Sequence, residues 1–377
     1  MRAFVFTDKA LTRHAGQFVW LSIDTEKARN APFVQKYPIR AWPSFYVIDP
    51  KTETVAVRWV GGATVAQLDK LFDDGARAVK GGERGAVEVT LAKADRLYGE
   101  GRYADAAPAY REALRSLKPG SAPYARAVDA LLYCLQSARD NGGCAALARE
   151  ALPRLRQTAS AANVAGTGLD CALKLPAGAP ERAESIAAFE TATREIIADR
   201  GLRLAADDRS ALYDALVSAR DDARDEEGAR RIARQWAAEL EGDAERAQTP
   251  EQRTALDPDR LNAYESAGEI EKAIPMLDRS ERDFPGDYNP PARLAFVYLK
   301  LSRAGEALAA SDRALARVYG PRRIRVLLNR ADIQKASGDT AAAKATLEEA
   351  VAFAESLPPG QRSEETIASL KKKLEAL

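Results

Sequence analysis

The sequence predicts a small α/β region at the N-terminus, followed by an all-α region of helical repeats. Residues 17–61 contain three β-rich runs, QFVWLSID, SFYVIDP and ETVAVRWVG. The short stretch KGGERG at 80–85 is polar and rich in glycine, as is typical of a domain boundary. Everything after it is rich in Ala, Leu, Arg and Glu at helical spacing. We therefore expect a domain at 1–79, a linker at 80–85 and helical repeats at 86–377.

Composition narrows the classes of function. The 377 residues include 56 basic and 55 acidic side chains, for a formal net charge of +1, which does not favour nucleic acid or an acidic membrane as partner. No apolar run is long enough to span a bilayer, and the N-terminus shows no signal-peptide core. As written, the chain is expected to be cytoplasmic. A periplasmic or secreted location is expected instead if a signal peptide was lost upstream of residue 1.

The ionisable and metal-binding side chains predict no catalytic or metal site. Cys134, Cys144 and Cys171 lack Cys-x-x-Cys spacing and fall in apolar helical stretches, so we expect three buried, unbonded thiols. The single histidine, His14, is expected in a polar turn. One histidine and scattered thiols are too few for a zinc site or a Ser-His-Asp triad. The sequence also contains no glycine-rich phosphate loop, so no cofactor is expected.

The N-terminal region reads as strand, helix, hairpin and helix. QFVWLSID at 17–24 carries apolar residues on both faces, which predicts a central strand. A short helical stretch follows at 31–37. SFYVIDP and ETVAVRWVG, separated by a Pro-Lys-Thr turn, predict a β-hairpin. Thr64 is expected to cap a helix that carries Leu68 and Phe72 at helical spacing.

These residues resemble the thioredoxin family. YPIRAWPSFYVID at 37–49 is similar to the family's proline loop, VWLSID to its central strand, and WVGG to its glycine turn. The resemblance implies a cis bond before Pro43 and a substrate-peptide site at Trp42, Pro43 and Ser44. MRAFVFTD at 1–8 resembles the stretch that follows the redox motif, so the Cys-x-x-Cys would lie upstream of Met1. Either the start at Met1 is mis-assigned, or the domain has lost its dithiol.

Internal repeats decide the architecture of the second region. The stretch YADAAPAYREA follows Gly101 and carries Ala, Tyr and Ala at helical spacing. The same frame of small and larger residues begins after Gly268, Ser302 and Gly338. Gly268 and Ser302 lie 34 residues apart. These stretches resemble tetratricopeptide repeats, whose period is about 34 residues. The match is weaker near 142–151 and 228–237, and 160–203 is expected to hold degenerate repeats.

The repeat resemblance implies a groove that binds a protein or peptide partner. Some members of the family hold an acidic C-terminus in a basic clamp. The candidate carboxylate clamp here is Arg322, Arg323 and Arg325, although a solvated charged face is the more ordinary use of such residues. The oligomeric state is left open.

Three classes of function follow from these patterns. The first is a protein-binding scaffold of thioredoxin-like and tetratricopeptide parts. The second is a thiol-disulfide oxidoreductase whose Cys-x-x-Cys lies upstream of Met1, since dithiol exchange needs two reactive thiols. The third is a purely structural assembly scaffold.

Overall fold

The computed structural model describes residues 5–39, 42–60, 62–80 and 85–377. Parts of four predicted features therefore lie outside the described residues: the start of MRAFVFTD, two residues of the proline loop, Gly61 of the WVGG turn, and 81–84 of the predicted linker. In the described residues the elements are, in chain order, α1 (Ala31–Lys36), β1 (Ser44–Ile48), β2 (Val55–Val60), α2 (Val65–Val79), α3 (Ala86–Gly99), α4 (Tyr103–Ser116), α5 (Ala122–Ser137), α6 (Asn141–Leu155), α7 (Ser160–Leu173), α8 (Arg182–Ala198), α9 (Ala206–Asp222), α10 (Glu226–Arg246), α11 (Pro250–Thr254), α12 (Asp257–Ala267), α13 (Ala273–Asp283), α14 (Asn289–Lys300), α15 (Ala304–Leu315), α16 (Arg322–Ala336), α17 (Thr340–Ser356) and α18 (Glu364–Glu375). Short 3-10 helices cover Lys9–His14, Ala28–Asn30 and Ile270–Lys272.

The predicted hairpin is present. β1 and β2 pair antiparallel with Phe45 opposite Trp59, and the register shifts between Val47 and Ile48. The predicted helix α2 packs against the hairpin through Leu68, Leu71 and Phe72. Its N-terminus carries a capping box: Gln67 N donates to Thr64 Oγ1, and Thr64 N donates to Gln67 Oε1. This reciprocal pair satisfies backbone donors that a helix start leaves open.

The predicted strand at 17–24 is wrong. No residue from 18 to 24 pairs in a sheet, and the described residues contain only the two-stranded sheet of the hairpin. Val19 and Leu21 are 87% and 72% exposed, so their apolar side chains have no second layer to cover them. A strand needs a neighbouring ladder for its backbone groups, and the described part of the chain provides none beside 18–24. The α/β part is therefore a hairpin with a helix, and a thioredoxin-like domain is not supported.

His14 is not in a polar turn as expected. Its ring is fully buried, lies 5.2 Å from the ring of Phe72, and has Nε2 2.9 Å from Asp69 Oδ1. The helical spacing of α2 places Asp69 beside Phe72, so one residue contacts the histidine ring and the other its nitrogen. His14 is thus part of the small core beside the hairpin.

The chain forms two compact units. The N-terminal unit comprises the described residues of Met1–Val19 and Ile39–Arg246, and the C-terminal unit comprises Trp20–Pro38 and Ala247–Leu377. The segment Trp20–Pro38 is thus grouped with the last third of the sequence, although it precedes the hairpin in the chain. These units do not follow the boundaries expected at 1–79 and 86–377. Whether those two stretches fold as separate domains stays a prediction.

Paired helices in the repeat region are joined by one recurring turn. The residue at its apex has a positive φ and donates its N–H to a carbonyl three residues back, and the next residue donates to a carbonyl five residues back. This turn follows α3, α5, α9, α12, α14 and α16. In the described residues its apex positions are Gly101, Arg139, Arg224, Gly268, Ser302 and Gly338. The two weaker matches, near 142–151 and 228–237, therefore follow the same turn, with arginine in place of glycine.

The small residues of the repeat frame lie where helices cross. Four alanines at matched positions of α4, α13, α15 and α17 have no exposed surface, namely Ala106, Ala273, Ala307 and Ala343. α7 also contacts both α5 and α9, and α14 contacts α16, so the first helices of successive pairs form one layer within each unit. We call this the inner layer. This stacking of helix pairs is how solenoid repeats bury a face that one pair cannot bury alone.

The cysteines correct a prediction. Cys144 of α6 and Cys171 of α7 form a disulfide, with Cα atoms 6.1 Å apart, instead of two separate thiols. Cys134 is an unbonded, buried thiol, as expected. The two bonded cysteines lie 27 residues apart on helices that pack closely together, which spacing along the sequence alone does not reveal.

The disulfide should stabilise the N-terminal unit. Closing a loop of this length restricts the unfolded chain by about 3–4 kcal/mol in the loop-entropy treatment. We expect the double variant Cys144→Ser/Cys171→Ser to unfold at a lower urea concentration than the oxidised protein, measured by circular dichroism. Cys134→Ser serves as the control with one thiol removed and the disulfide intact. Equal midpoints for the double variant and the oxidised protein would contradict the prediction.

The turn apex at Gly338 allows a test with a matched glycine. Gly338 has φ of +85° and nothing within 4 Å of an added Cβ, so Gly338→Ala changes only the backbone preference. We expect a loss of about 1–2 kcal/mol in the free energy of unfolding. Gly305→Ala, within α15 and also in open space, should instead stabilise by about 0.5–1 kcal/mol. Chemical denaturation of both variants measures the difference; the same sign for both changes would refute it.

Candidate peptide-binding surface

The loop expected to contact peptides is partly exposed. The Trp42–Pro43 bond is cis, as expected, and the Trp42 side chain is 59% exposed. Ser44 begins β1, directly after the loop. The structure therefore presents Trp42 on the surface of the N-terminal unit. The peptide site at Trp42, Pro43 and Ser44 stays a prediction.

The three arginines of the candidate clamp do not converge. Arg322 Nε lies 2.7 Å from Glu26 Oε1, whereas Arg323 pairs with Glu349 at 2.8 Å and donates to the carbonyl of Leu315. Residues one apart on a helix are rotated by about 100°, whereas residues three apart share a face. Arg322 and Arg325 accordingly share a face of α16, and Arg323 extends toward α17. The sequence cluster therefore divides into two surfaces.

A further arginine, Arg293 on α14, was missed by sequence reasoning. Burial lowers the pKa of Arg293, and the charge of Arg325 on the neighbouring inner helix lowers it further. Among the described residues neither Arg293 nor Arg325 makes a hydrogen bond or an ion pair, although the charges of Asp257 and Asp287 act on Arg293. Two guanidinium groups without a carboxylate on them form an anion-attracting surface. The signal in the sequence was the helical face of α14, where Arg293 falls among apolar neighbours.

The carboxylate of Asp257 beside Arg293 is committed to the core. Its side chain is fully buried, and Oδ2 accepts a hydrogen bond of 2.6 Å from Ser280 Oγ. Burial raises the pKa of Asp257, against the lowering effects of Ser280 and of nearby arginines. Asp257 therefore attracts Arg293 by charge without binding it, and the guanidinium keeps its donors for another acceptor.

The inner layer of the N-terminal unit carries aspartates, Asp129 and Asp208, in place of the arginines. Asp129 of α5 accepts hydrogen bonds from Ser160 Oγ at 2.8 Å and Asn163 Nδ2 at 2.9 Å, both from α7. Burial raises the pKa of Asp129 to about 7, and the charge of Asp208 on α9 contributes. Burial likewise raises the pKa of Asp208 to about 6. The two units thus present different electrostatic surfaces on their inner helices.

The described residues contain no group of three or more metal-ligating side chains. Within the same described ranges no helix is long and apolar enough to cross a membrane. The arrangement described above offers charged side chains on helical surfaces, which suits recognition of a polypeptide.

Comparison with known proteins identifies the repeats. Residues 288–356, which cover α14 to α17, match the family model described as tetratricopeptide repeat. No curated protein sequence matches the chain. The family match shows that the C-terminal unit contains tetratricopeptide repeats.

Several solved structures resemble the chain at low sequence identity. A tetratricopeptide repeat protein from Parabacteroides merdae is 10% identical, with a TM-score of 0.47 over 77% of this chain and 98% of its own. The TPR2AB domain of yeast Sti1 in complex with pHSP90 is 15% identical, with a TM-score of 0.28 over 77% and 98%. A thermophilic tetratricopeptide protein of Thermus thermophilus is 14% identical, with a TM-score of 0.27 over 78% and 100%.

The half-buried carboxylate of Asp129 predicts a pH dependence of stability. A carboxyl whose pKa is higher in the folded than in the unfolded state binds more protons when folded, so stability falls as pH rises from about 4 to about 7. Asp129→Asn removes the charge and keeps an acceptor for Asn163. We expect it to raise the melting temperature at pH 8 and to have little effect at pH 4. Asp105→Asn, at an exposed aspartate of α4, is the control; a lower melting temperature for Asp129→Asn at pH 8 would overturn this account.

Proposed function

We propose that the protein is a tetratricopeptide-type interaction scaffold whose C-terminal unit binds an acidic peptide or protein segment. The observation that carries the proposal is the pair Arg293 and Arg325, two unpaired guanidinium groups on adjacent helices of the inner layer. A partly buried guanidinium without a hydrogen-bond partner is costly, and a carboxylate ligand would relieve that cost. In this proposal the carboxylate is bound by Arg293 and Arg325, and no longer by the three arginines Arg322, Arg323 and Arg325.

The other two arginines of the candidate clamp have different roles in this proposal. Arg323 binds Glu349 and lies 5.8 Å from the ring of Phe353, so it joins α16 to α17. Arg322 is engaged by Glu26. A partner reaching Arg322 has to compete with that carboxylate, whereas Arg325 is exposed and is not held by any described carboxylate.

The N-terminal hairpin adds a second proposed contact. The support for a peptide-contacting loop at Trp42, Pro43 and Ser44 is the exposed indole and the position of Ser44 at the start of an edge strand. Adding a strand beside a sheet is one of the recurring ways in which proteins bind an extended peptide. A thioredoxin-like origin of this loop remains part of the proposal only.

A thiol-disulfide oxidoreductase receives no support from the cysteines of this chain. Cys144 and Cys171 are joined and buried, and burial raises the pKa of Cys134 to about 12. A buried thiol with that pKa stays protonated near neutral pH and is a poor nucleophile. The scaffold is therefore the function we propose.

The proposal predicts carboxylate-dependent binding. The probe is a short fluorescein-labelled peptide ending in Asp-Glu with its free carboxyl group, and its partner probe has Asn-Gln at the same positions. We expect the acidic probe to bind the full chain, and Arg293→Gln or Arg325→Gln to weaken binding roughly tenfold, which corresponds to about 1.4 kcal/mol. Fluorescence anisotropy at physiological ionic strength measures both.

The control is Arg279→Gln, an exposed arginine of α13 in the same unit. It removes one positive charge without touching Arg293 or Arg325, so its affinity should stay within about twofold of the unaltered protein. Equal binding of the acidic and the amide probe would show that the surface does not recognise carboxylates.

A further inference from the structure

The segment Trp20–Pro38 binds the loop between α15 and α16, and the first residue of α16, through two acidic side chains. Asp24 Oδ2 accepts a hydrogen bond of 2.6 Å from the Tyr319 hydroxyl. Glu26 Oε1 lies 2.7 Å from Arg322 Nε. Both contacts lie within the C-terminal unit, and each joins residues nearly 300 positions apart in the chain: 295 for the first and 296 for the second. Two carboxylates spaced two residues apart are thus held by Tyr319 of the loop and Arg322 at the start of α16.

The same surface also contacts the backbone of the segment. Gln361 Nε2 donates to the carbonyls of Thr25 at 2.7 Å and Lys27 at 3.2 Å. Gly320, with φ of +59°, lies so close that an added Cβ would be 2.0 Å from the carbonyl oxygen of Glu26. Only glycine permits both that backbone conformation and that approach. The surface around Gly320 therefore contacts both the carboxylates and the main-chain carbonyls of residues 24–27. Such a combination of contacts suits the binding of a short turn.

The bound turn is held in shape by its own hydrogen bonds. Asp24 Oδ1 accepts from the backbone N–H of Glu26 at 3.0 Å, and the Asp24 carbonyl accepts from Asn30 Nδ2 at 2.7 Å. Beside it a cleft of about 630 Å³ lies between Asp24 and Glu26 on one side and the loop 283–289 on the other. Asp283 and Asp287 line the loop side, so the cleft has room next to the acidic turn for uncharged or basic residues of a ligand.

We propose that Tyr319, Gly320, Arg322 and Gln361 form a binding site for acidic turns, and that residues 24–27 are its resident ligand, which an acidic partner displaces. The inference rests on the proposed function in one respect, that the partner is acidic. Arg322 and Arg325 share one face of α16, so a partner that binds Arg325 extends over the place of Glu26. The segment then acts as an intramolecular competitor.

Tethering makes the competition effective. A segment joined to the same chain has an effective concentration in the millimolar range, so even a weak internal contact lowers the apparent affinity for an external peptide. Removing the charges of the two carboxylates should therefore raise the affinity for an added peptide. A merely structural contact predicts no such increase.

The test uses the full chain and a peptide of its own sequence. The probe is fluorescein-labelled WLSIDTEKARNA, which corresponds to residues 20–31. The variant Asp24→Asn/Glu26→Gln keeps the side-chain sizes and removes both charges. We expect it to bind the probe at least tenfold more tightly than the unaltered protein, measured by anisotropy. Glu348→Gln/Glu375→Gln, two exposed acids of the same unit, should leave the affinity unchanged.

Two added substitutions separate a site from a general charge effect. In the Asp24→Asn/Glu26→Gln protein, a further Arg322→Gln should weaken binding of the probe at least tenfold. A further Gly320→Ala should abolish binding, because its Cβ occupies the position of the bound carbonyl. Circular dichroism confirms folding of each variant. If the double variant does not fold, Glu26→Gln alone is measured with the same criteria.

Equal affinities for the unaltered protein and the charge-removed variant would overturn the inference, as would binding insensitive to Arg322→Gln and Gly320→Ala. The proposed function fails separately, when the peptide ending in Asp-Glu binds no form of the protein. Tight binding of WLSIDTEKARNA alone would support the acidic-turn site and refute a general acidic partner.

Discussion

Close contact between helices at positions that tolerate only small side chains holds the repeat region together. At Gly168 of α7 an added Cβ would lie 2.6 Å from the ring of Phe189 and 2.8 Å from the Cβ of Ala148. The fully buried alanines of the repeat frame have the same role in the other pairs. Protein interiors are packed as densely as organic crystals, so these small residues fix the distance between helices to within a fraction of an ångström. The inner layer and its charges depend on that distance.

The recurring turn sets the direction of each second helix, and hence which residues face the inner layer. Where the apex is glycine, a positive φ costs little; where it is Arg139 or Arg224, the backbone adopts the same conformation at a cost. The turn survives this substitution because the packed helices on both sides determine it. The conformation is thus set by tertiary structure where the apex is Arg139, Arg224 or Ser302, and by local sequence where it is glycine.

This division explains what the sequence could predict. The repeats after Gly268, Ser302 and Gly338 could be predicted because small residues recur at the same spacing after each turn residue. The helix cap at Thr64 and the hairpin could be predicted because their capping and turn residues coincide with the ends of the apolar patterns. The strand at 17–24 was predicted wrongly because alternation of apolar residues does not reveal whether a neighbouring strand exists.

The remaining misses concern pairs of residues distant in sequence. The bond between Cys144 and Cys171 depends on how α6 packs against α7. In the candidate site, the arginine cluster at 322–325 could be found in the sequence. Its separation onto two surfaces could be seen only from the helix geometry and the positions of Glu26 and Glu349. Arg293 was not selected because its significance comes from Arg325, on another helix.

The grouping of Trp20–Pro38 with the end of the chain has a consequence for synthesis on the ribosome. The segment emerges early, but Tyr319 and Gln361, which bind it, follow roughly 300 residues later. At about 5–20 residues per second, the segment waits some 15–60 seconds for these partners. Within that time the ribosome completes the hairpin and the helices up to Arg246, before Tyr319 is made. The C-terminal unit therefore assembles last, around a piece of chain that was made first.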